Sequence, residues 1–205
     1  MKKKMNLPNK LTILRLCMVP LFVVILLISN ETWATATGMA LFIIASLTDM
    51  LDGKIARKHN LVTDFGKFMD PLADKFMVIA AMLVILYKAM RNGYHESFQI
   101  VFFLSVMIVI FRELAVTSIR LVVSGSSGIV IAANMLGKIK TCTQIACVVC
   151  CLAEPMIYSF FPAGQHAWMS YLPVSLATSA LMLIFTLGSG INYIASYWKY
   201  LDPEK

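Results

Sequence analysis

The stretch SLTDMLDGKIARKHNLVTDFGKFMDPLADK, Ser46 to Lys75, holds five of the eleven acidic residues of this 205-residue chain. Those acids stand out because the rest is lipid-like. Hydrophobic residues make up 59% of the sequence, charged ones only 14%, and mean hydropathy is +0.77. Six runs are long enough to cross a hydrocarbon core of about 30 Å as helices: Leu11 to Ser29, Thr35 to Ala56, Pro71 to Ala89, Phe98 to Val123, Leu136 to Phe161 and Trp168 to Tyr193. The expected fold class is an all-α integral membrane protein with six transmembrane helices. Residues 1–205 read as one membrane domain, with residues 1–10 as a juxtamembrane, amphipathic N-terminal segment. No low-complexity tract or inverted repeat of the transporter kind interrupts it.

A cleaved signal peptide is the alternative reading of the first run. Lys2, Lys3 and Lys4 precede it, and Ala34 to Ala36 resembles a cleavage site. The run is long for that, and Asn6, Asn9, Thr12 and Arg15 are unlike a featureless targeting sequence. Retention is the reading adopted. Six crossings with the N-terminus inside put most Lys and Arg residues on the cytoplasmic side, leaving Lys88 and Arg91 outside. The acid-rich stretch is then cytoplasmic, both termini are cytoplasmic, and Glu31, Glu96 and Glu154 fall in the outer joins. The net charge of +7 becomes a matter of orientation and lipid surface, not of nucleic acid. Cys17, Cys142, Cys147, Cys150 and Cys151 lie in apolar runs and are expected to pack as small apolar side chains. Cys147 and Cys150 have a metal-like spacing, but no second cluster completes a zinc site.

Helical geometry organises the acids. Asp49 lies about 21 Å along the second run from Thr35, near headgroup depth. Asp49 and Asp52 are three apart, while Asp49, Gly53 and Arg57 recur every four residues, so they share a face that Ala56 borders. Gly66, Asp70 and Asp74 form a second such stripe. A structural salt-bridge network with Arg57, Lys67, Lys75 or Arg112 is the plain alternative. Regular spacing of four carboxylates beside small residues favours a site for hard divalent cations, with Mg2+ leading and two ions balancing four charges. Gly53, Ala56 and Gly66 either pack helices closely or let a ligand approach the backbone. Arg57 offers a fork that matches phosphate. Asp64, off the stripe, reads as a cap or turn residue, His59 as a loop residue, and Pro71 as a break near the start of the third helix.

Together Asp49, Asp52, Gly53, Ala56, Arg57, Gly66, Asp70 and Asp74 stand in the order D-x2-D-G-x2-A-R-x8-G-x3-D-x3-D. This resembles the signature of the CDP-alcohol phosphatidyltransferases, with no position departing from it. "NLPNKLTILR", "FREL", Arg120 and "GKIKT" make the chain similar to the bacterial branch that uses glycerol 3-phosphate. The resemblance implies transfer of a phosphatidyl group from CDP-diacylglycerol to glycerol 3-phosphate, with release of CMP. It implies two divalent cations, Mg2+ or Mn2+, held by Asp49, Asp52, Asp70 and Asp74, with Asp74 as the base. Gly53, Ala56, Arg57 and Gly66 would border the donor nucleotide. It also implies a homodimer in the bacterial cytoplasmic (inner) membrane, with the site facing the cytoplasm.

Arg112, Arg120, Lys138 and Lys140 are the candidate acceptor-phosphate residues. Lys138 and Lys140 read equally well as topological anchors, whereas Arg112 needs an anion: Glu113, the Asp cluster or a bound phosphate. Another acceptor within the same family (inositol phosphate, serine or phosphatidylglycerol) stays open. So does a divalent-cation transporter, although that function calls for acids nearer the midplane.

Overall fold

A computed structural model describes residues 6–58, 63–127, 135–161 and 167–198, with the side chains of 51–58, Asp64, Lys67, 124–127, Ala167 and Trp168 left out. These comprise α1 (Leu7–Ile28), α2 (Thr32–Lys58), α3 (Asp64–Arg91), α4 (Glu96–Ser127), α5 (Met135–Tyr158) and α6 (Pro173–Tyr197). A short 3-10 turn, Ala167–Tyr171, precedes α6. The all-helical, multi-span expectation holds. Five of the segments are long and apolar enough to cross a membrane. α3 has the length, at 28 residues, but carries charge at both ends. His59, Lys2, Lys3, Lys4, Lys199 and Lys205 lie outside the described residues.

The bundle turns apolar side chains outward where lipid is the solvent and buries small polar residues beside its apolar core. Phe111, 74% exposed, Leu121, Ile184 and Ile191 face outward. Thr12, Ser105, Ser175, Ser179 and Thr186 are buried. Several of those hydroxyls donate to the carbonyl one turn back, as Ser105 Oγ does to Val101 O at 2.8 Å. Such small polar residues let helices approach while keeping every backbone group satisfied. Between these layers Phe22, Phe42, Met77, Met82, Phe102 and Met182 form the apolar core. α1 packs on α2 and α3, α5 on α6 and α2, and α4 on α6 and α3.

Three boundaries correct the sequence reading. α3 begins seven residues before Pro71, because the Thr63 hydroxyl accepts the Gly66 N–H and caps the helix; Asp64 is the first helical residue, not the cap. Pro71 lies inside α3, which continues through it. Glu154, expected in an outer join, is instead in α5 and only 4% exposed. Its carboxylate accepts from the Val174 and Ser175 amides at 3.0 and 2.6 Å, from Ser175 Oγ at 2.5 Å and from Tyr158 OH at 2.8 Å. An anion at a helix N-terminus meets both free N–H groups and the positive end of the dipole. That anchorage also offsets Leu172, which enters α6 in the left-handed region at φ 48°, an unfavourable conformation for a branched side chain. Glu154→Ala is expected to cost about 3 kcal/mol or more, since it strands buried donors on a second helix. Thermal unfolding in detergent should show the loss, and an unchanged midpoint would refute the anchoring role.

The thiols are also placed differently from one another. Cys17 and Cys142 are exposed on the helix exteriors, whereas Cys147 and Cys151 are buried. The neighbour of Cys147 is Cys151, at 3.9 Å between sulfurs, and no described group of three His, Cys, Asp or Glu side chains surrounds either.

Candidate active site

At one end of the bundle α1, α2 and α3 bring their polar stripes together. Asn9, Thr12 and Arg15 recur every three residues on α1, and all three are buried. Arg15, 0% exposed, places Nη1 2.5 Å from Oδ1 of Asp49, which is 32% exposed. The Thr12 hydroxyl sits 2.7 Å from Asp70 Oδ1 and 3.1 Å from Pro8 O. It has one proton to give, and the shorter contact to the charged acceptor is the stronger. One step toward the helix end, Thr63 Oγ1 donates to Asn9 Oδ1 at 2.9 Å while receiving the Gly66 amide at 3.0 Å. Each carboxylate-bearing helix is thus oriented by α1.

Gly66 makes that junction possible. A Cβ there would stand 3.2 Å from Asn9 Oδ1, 3.3 Å from Thr63 Oγ1 and 3.6 Å from Asp70 Oδ2. The hydrogen at this position leaves a pocket ringed by oxygen atoms. Carboxylate, amide and hydroxyl oxygens are the ligands that hard divalent cations take, so the donor set suits Mg2+ or Mn2+. Among the described residues no three acids converge closely enough to hold an ion by themselves. Asp52 completes the sequence pattern, and its side chain lies outside the described set. The same holds for Gly53, Ala56 and Arg57, whose backbone continues α2 one and two turns beyond Asp49.

A second cluster adjoins the first along α3. Asp74, Lys75, Glu113, Lys140 and Gln144 line a narrow cleft, walled by Val78, Ile79 and Val109. Asp74 lies within electrostatic reach of Asp49, Glu113, Lys140 and Arg15. Lys75 Nζ donates to Thr117 Oγ1 at 2.6 Å. Glu113 is ion-paired to Lys140, and its Oε1 is also 3.3 Å from Arg112 Nη1. Arg112 Nη2 reaches across to Ser189 Oγ on α6 at 3.1 Å. Gly190 leaves room for this arm, because a Cβ there would meet Arg112 Cγ at 3.1 Å.

One carboxylate cannot neutralise two cations, so the Arg112–Glu113–Lys140 group retains one positive charge. Of the anions open to Arg112, the structure supplies Glu113. Arg120, two turns beyond Arg112, is exposed and leans on Tyr193, with Nε 3.5 Å from the phenol oxygen and Cζ 6.0 Å from the ring centroid. Lys138 is exposed and separate from this cluster. The structure therefore brings Asp49, Gly66, Asp70, Asp74, Arg112 and Lys140 to one end of the bundle and leaves Lys138 on its surface.

Sequence reasoning did not assign Asn9, Thr12, Arg15 or Gln144 to the site. The signal for the first three was their spacing on an otherwise apolar helix; for Gln144 there was none.

The family model described as CDP-alcohol phosphatidyltransferase matches residues 5–193. A Bacillus subtilis protein named CDP-diacylglycerol--glycerol-3-phosphate 3-phosphatidyltransferase is 40% identical over 213 residues, spanning 97% of this chain and 98% of its own. A Salmonella paratyphi A protein of the same name is 31% identical over 93% of this chain and 94% of its own. A rice protein named Cardiolipin synthase (CMP-forming) is 33% identical over 97% of this chain but 59% of its own length.

Proposed function

Because the chain belongs to the CDP-alcohol phosphatidyltransferase family, we propose that it transfers the phosphatidyl group of CDP-diacylglycerol to glycerol 3-phosphate, yielding phosphatidylglycerophosphate and CMP. It is a phospholipid-synthesising transferase of the membrane. The observation that carries the acceptor is the end-to-end similarity to the Bacillus subtilis protein, reinforced by the excess positive charge beside Asp74.

Asp49, Asp52, Asp70 and Asp74 would hold two Mg2+ or Mn2+ ions. When bound, these ions neutralise the diphosphate and stabilise CMP as a leaving group. Arg15 and Thr12 hold Asp49 and Asp70 in place before substrate arrives. Asp74 accepts the proton of the attacking glycerol hydroxyl as the new O–P bond forms and the P–O bond to CMP breaks. Gly53, Ala56, Arg57 and Gly66 border the cytidine diphosphate, with Gly53 giving the nucleotide access to backbone and Gly66 keeping α1 close to α3. Arg112 and Lys140 draw the acceptor phosphate toward Asp74, with Arg120 at the mouth. The apolar outer faces of the helices keep the donor's acyl chains in lipid.

The chain acts as one domain over 1–205, as a homodimer. It lies in the bacterial cytoplasmic membrane with six crossings, and its termini and site face the cytoplasm. Support for that orientation comes from the concentration of Lys and Arg toward the carboxylate end.

Release of CMP by purified protein, measured against glycerol 3-phosphate, serine, inositol phosphate and phosphatidylglycerol, tests the assignment. Glycerol 3-phosphate should be preferred, and preference for phosphatidylglycerol would move the chain to the activity that the rice relative's name describes. Arg112→Ala should lower kcat/KM for glycerol 3-phosphate by about tenfold or more, since charge-assisted contacts contribute roughly 1.5 to 3 kcal/mol. Lys138→Ala should leave it unchanged. Equal effects of the two substitutions would return the basic group to a structural role.

A further inference from the structure

Fourteen residues beyond Asp74, about 21 Å along α3, Lys88 lies at the opposite end of the bundle. It is only 7% exposed. Its Nζ donates to Thr35 Oγ1 on α2 at 3.0 Å. An ammonium has three N–H bonds, and that hydroxyl accepts one. Among the described residues no carboxylate stands within ion-pair distance, and the charged neighbour along the helix is the like-charged Arg91. The C-terminal carbonyls of α3 favour a cation here. The lysine's hydrogen bond nevertheless runs across to α2, beside a cavity.

That cavity is open, about 550 Å³ only when the solvent-filled mouth is counted, and lies between the start of α2, the end of α3, the start of α4 and the end of α5. Lys88, Tyr94 and Asn92 line its polar side, and Phe98, Leu152 and Met156 its apolar side. The polar side is organised by a directed chain of hydrogen bonds. Asn30 Nδ2 donates to Asn92 Oδ1 at 2.7 Å, and Asn92 Nδ2 donates to the Tyr94 oxygen at 3.3 Å. Tyr94 therefore receives, and its own O–H remains to give. A buried ammonium with spare N–H bonds and a phenol with a spare proton face the same space, which the Thr32 and Ser159 hydroxyls, 3.2 Å apart, also line. An oxyanion is what such a lining accepts. The adjoining apolar wall suits the glyceryl part of an ester.

The geometry points to a second ligand site at this end of the bundle: a pocket for a negatively charged phosphate group, held by Lys88 and Tyr94, supplied either by an anionic lipid headgroup or by phosphate from solution. It is separate from the carboxylate site and does not rest on the phosphatidyltransfer reading.

Two arms distinguish the sources. In the first, the full-length protein is released from nanodiscs of phosphatidylcholine containing phosphatidylglycerol, and retained lipids are counted by native mass spectrometry. Wild type should keep one more phosphatidylglycerol than Lys88→Met. In the second, lipid-stripped protein in a neutral detergent is titrated with inorganic phosphate against chloride at equal ionic strength, with the thermal midpoint as readout. A rise in wild type that Lys88→Met lacks assigns the pocket to soluble phosphate. In whichever arm binds, Lys88→Met should weaken binding by about tenfold or more, and Tyr94→Phe, which removes only a hydroxyl, by about threefold. Tyr94→Phe carries the test if Lys88→Met does not fold. Variants that match wild type in both arms would overturn the proposal.

Discussion

Asp70→Asn and Asp74→Asn will each reduce CMP release by about a thousandfold or more, and removal of divalent cations will do the same to the wild type. Charge stabilisation at a reacting phosphorus is a large part of the catalytic barrier, and removing one element of a unit that acts together disables the whole. Asn keeps the shape and a hydrogen-bond acceptor but removes the charge, so the Thr12 contact to residue 70 survives while cation affinity does not. Restoring Mg2+ or Mn2+ should recover chelated wild type and neither variant. Asp64→Ala is the control, because it is acidic, adjacent in sequence and off the helical stripe; it should keep most of the activity. Full turnover in metal-depleted protein would remove the mechanism.

Arg15→Met has the next largest expected effect, and it divides between stability and activity. The guanidinium is fully buried against Asp49, and because the aspartate left behind is about a third exposed, losing this charge-assisted pair should cost about 1.5 to 3 kcal/mol. Asp49 also loses the group that fixes its orientation, so turnover should fall by about a hundredfold. As a positioning residue Arg15 should show a signature that a purely structural one lacks. The metal concentration for half-maximal activity should shift in Arg15→Met and partly return in Arg15→Lys, which keeps the charge but loses the planar fork. A destabilised variant whose remaining folded fraction has wild-type turnover and metal response would confine Arg15 to folding.

The helices that carry Asp49, Asp70 and Asp74 were legible because each stripe is an intrahelical pattern, set by 3.6 residues per turn and readable from one segment alone. What joins the helices was not. Asn9, Thr12 and Arg15 act on partners 34 to 58 residues away, and no periodicity within α1 names those partners. The Arg15 charge was therefore read only as unlike a targeting sequence. Glu154 and Lys88 show the same limit at the other end. A charge near the end of an apolar run reads as a join, but the structure buries Glu154 against the first amides of α6, and Lys88 beside a cavity. The start of α3 was missed because Pro71 is a strong local signal for interruption. The Thr63 cap, eight residues earlier, depends on a hydroxyl whose role appears only with Gly66 and Asn9 around it.

The dependence of both carboxylate helices on α1 bears on biogenesis. α1 leaves the ribosome before α2 and α3, so its buried Arg15 must enter the membrane ahead of the aspartate that will face it. Translocation machinery and surrounding lipid must shelter that guanidinium until α2 follows. Exchanging α1 for an unrelated hydrophobic anchor of equal length should therefore yield a chain that inserts with the same topology yet assembles no working centre. Supplying α1 as a separate polypeptide is the complementation experiment that would restore it.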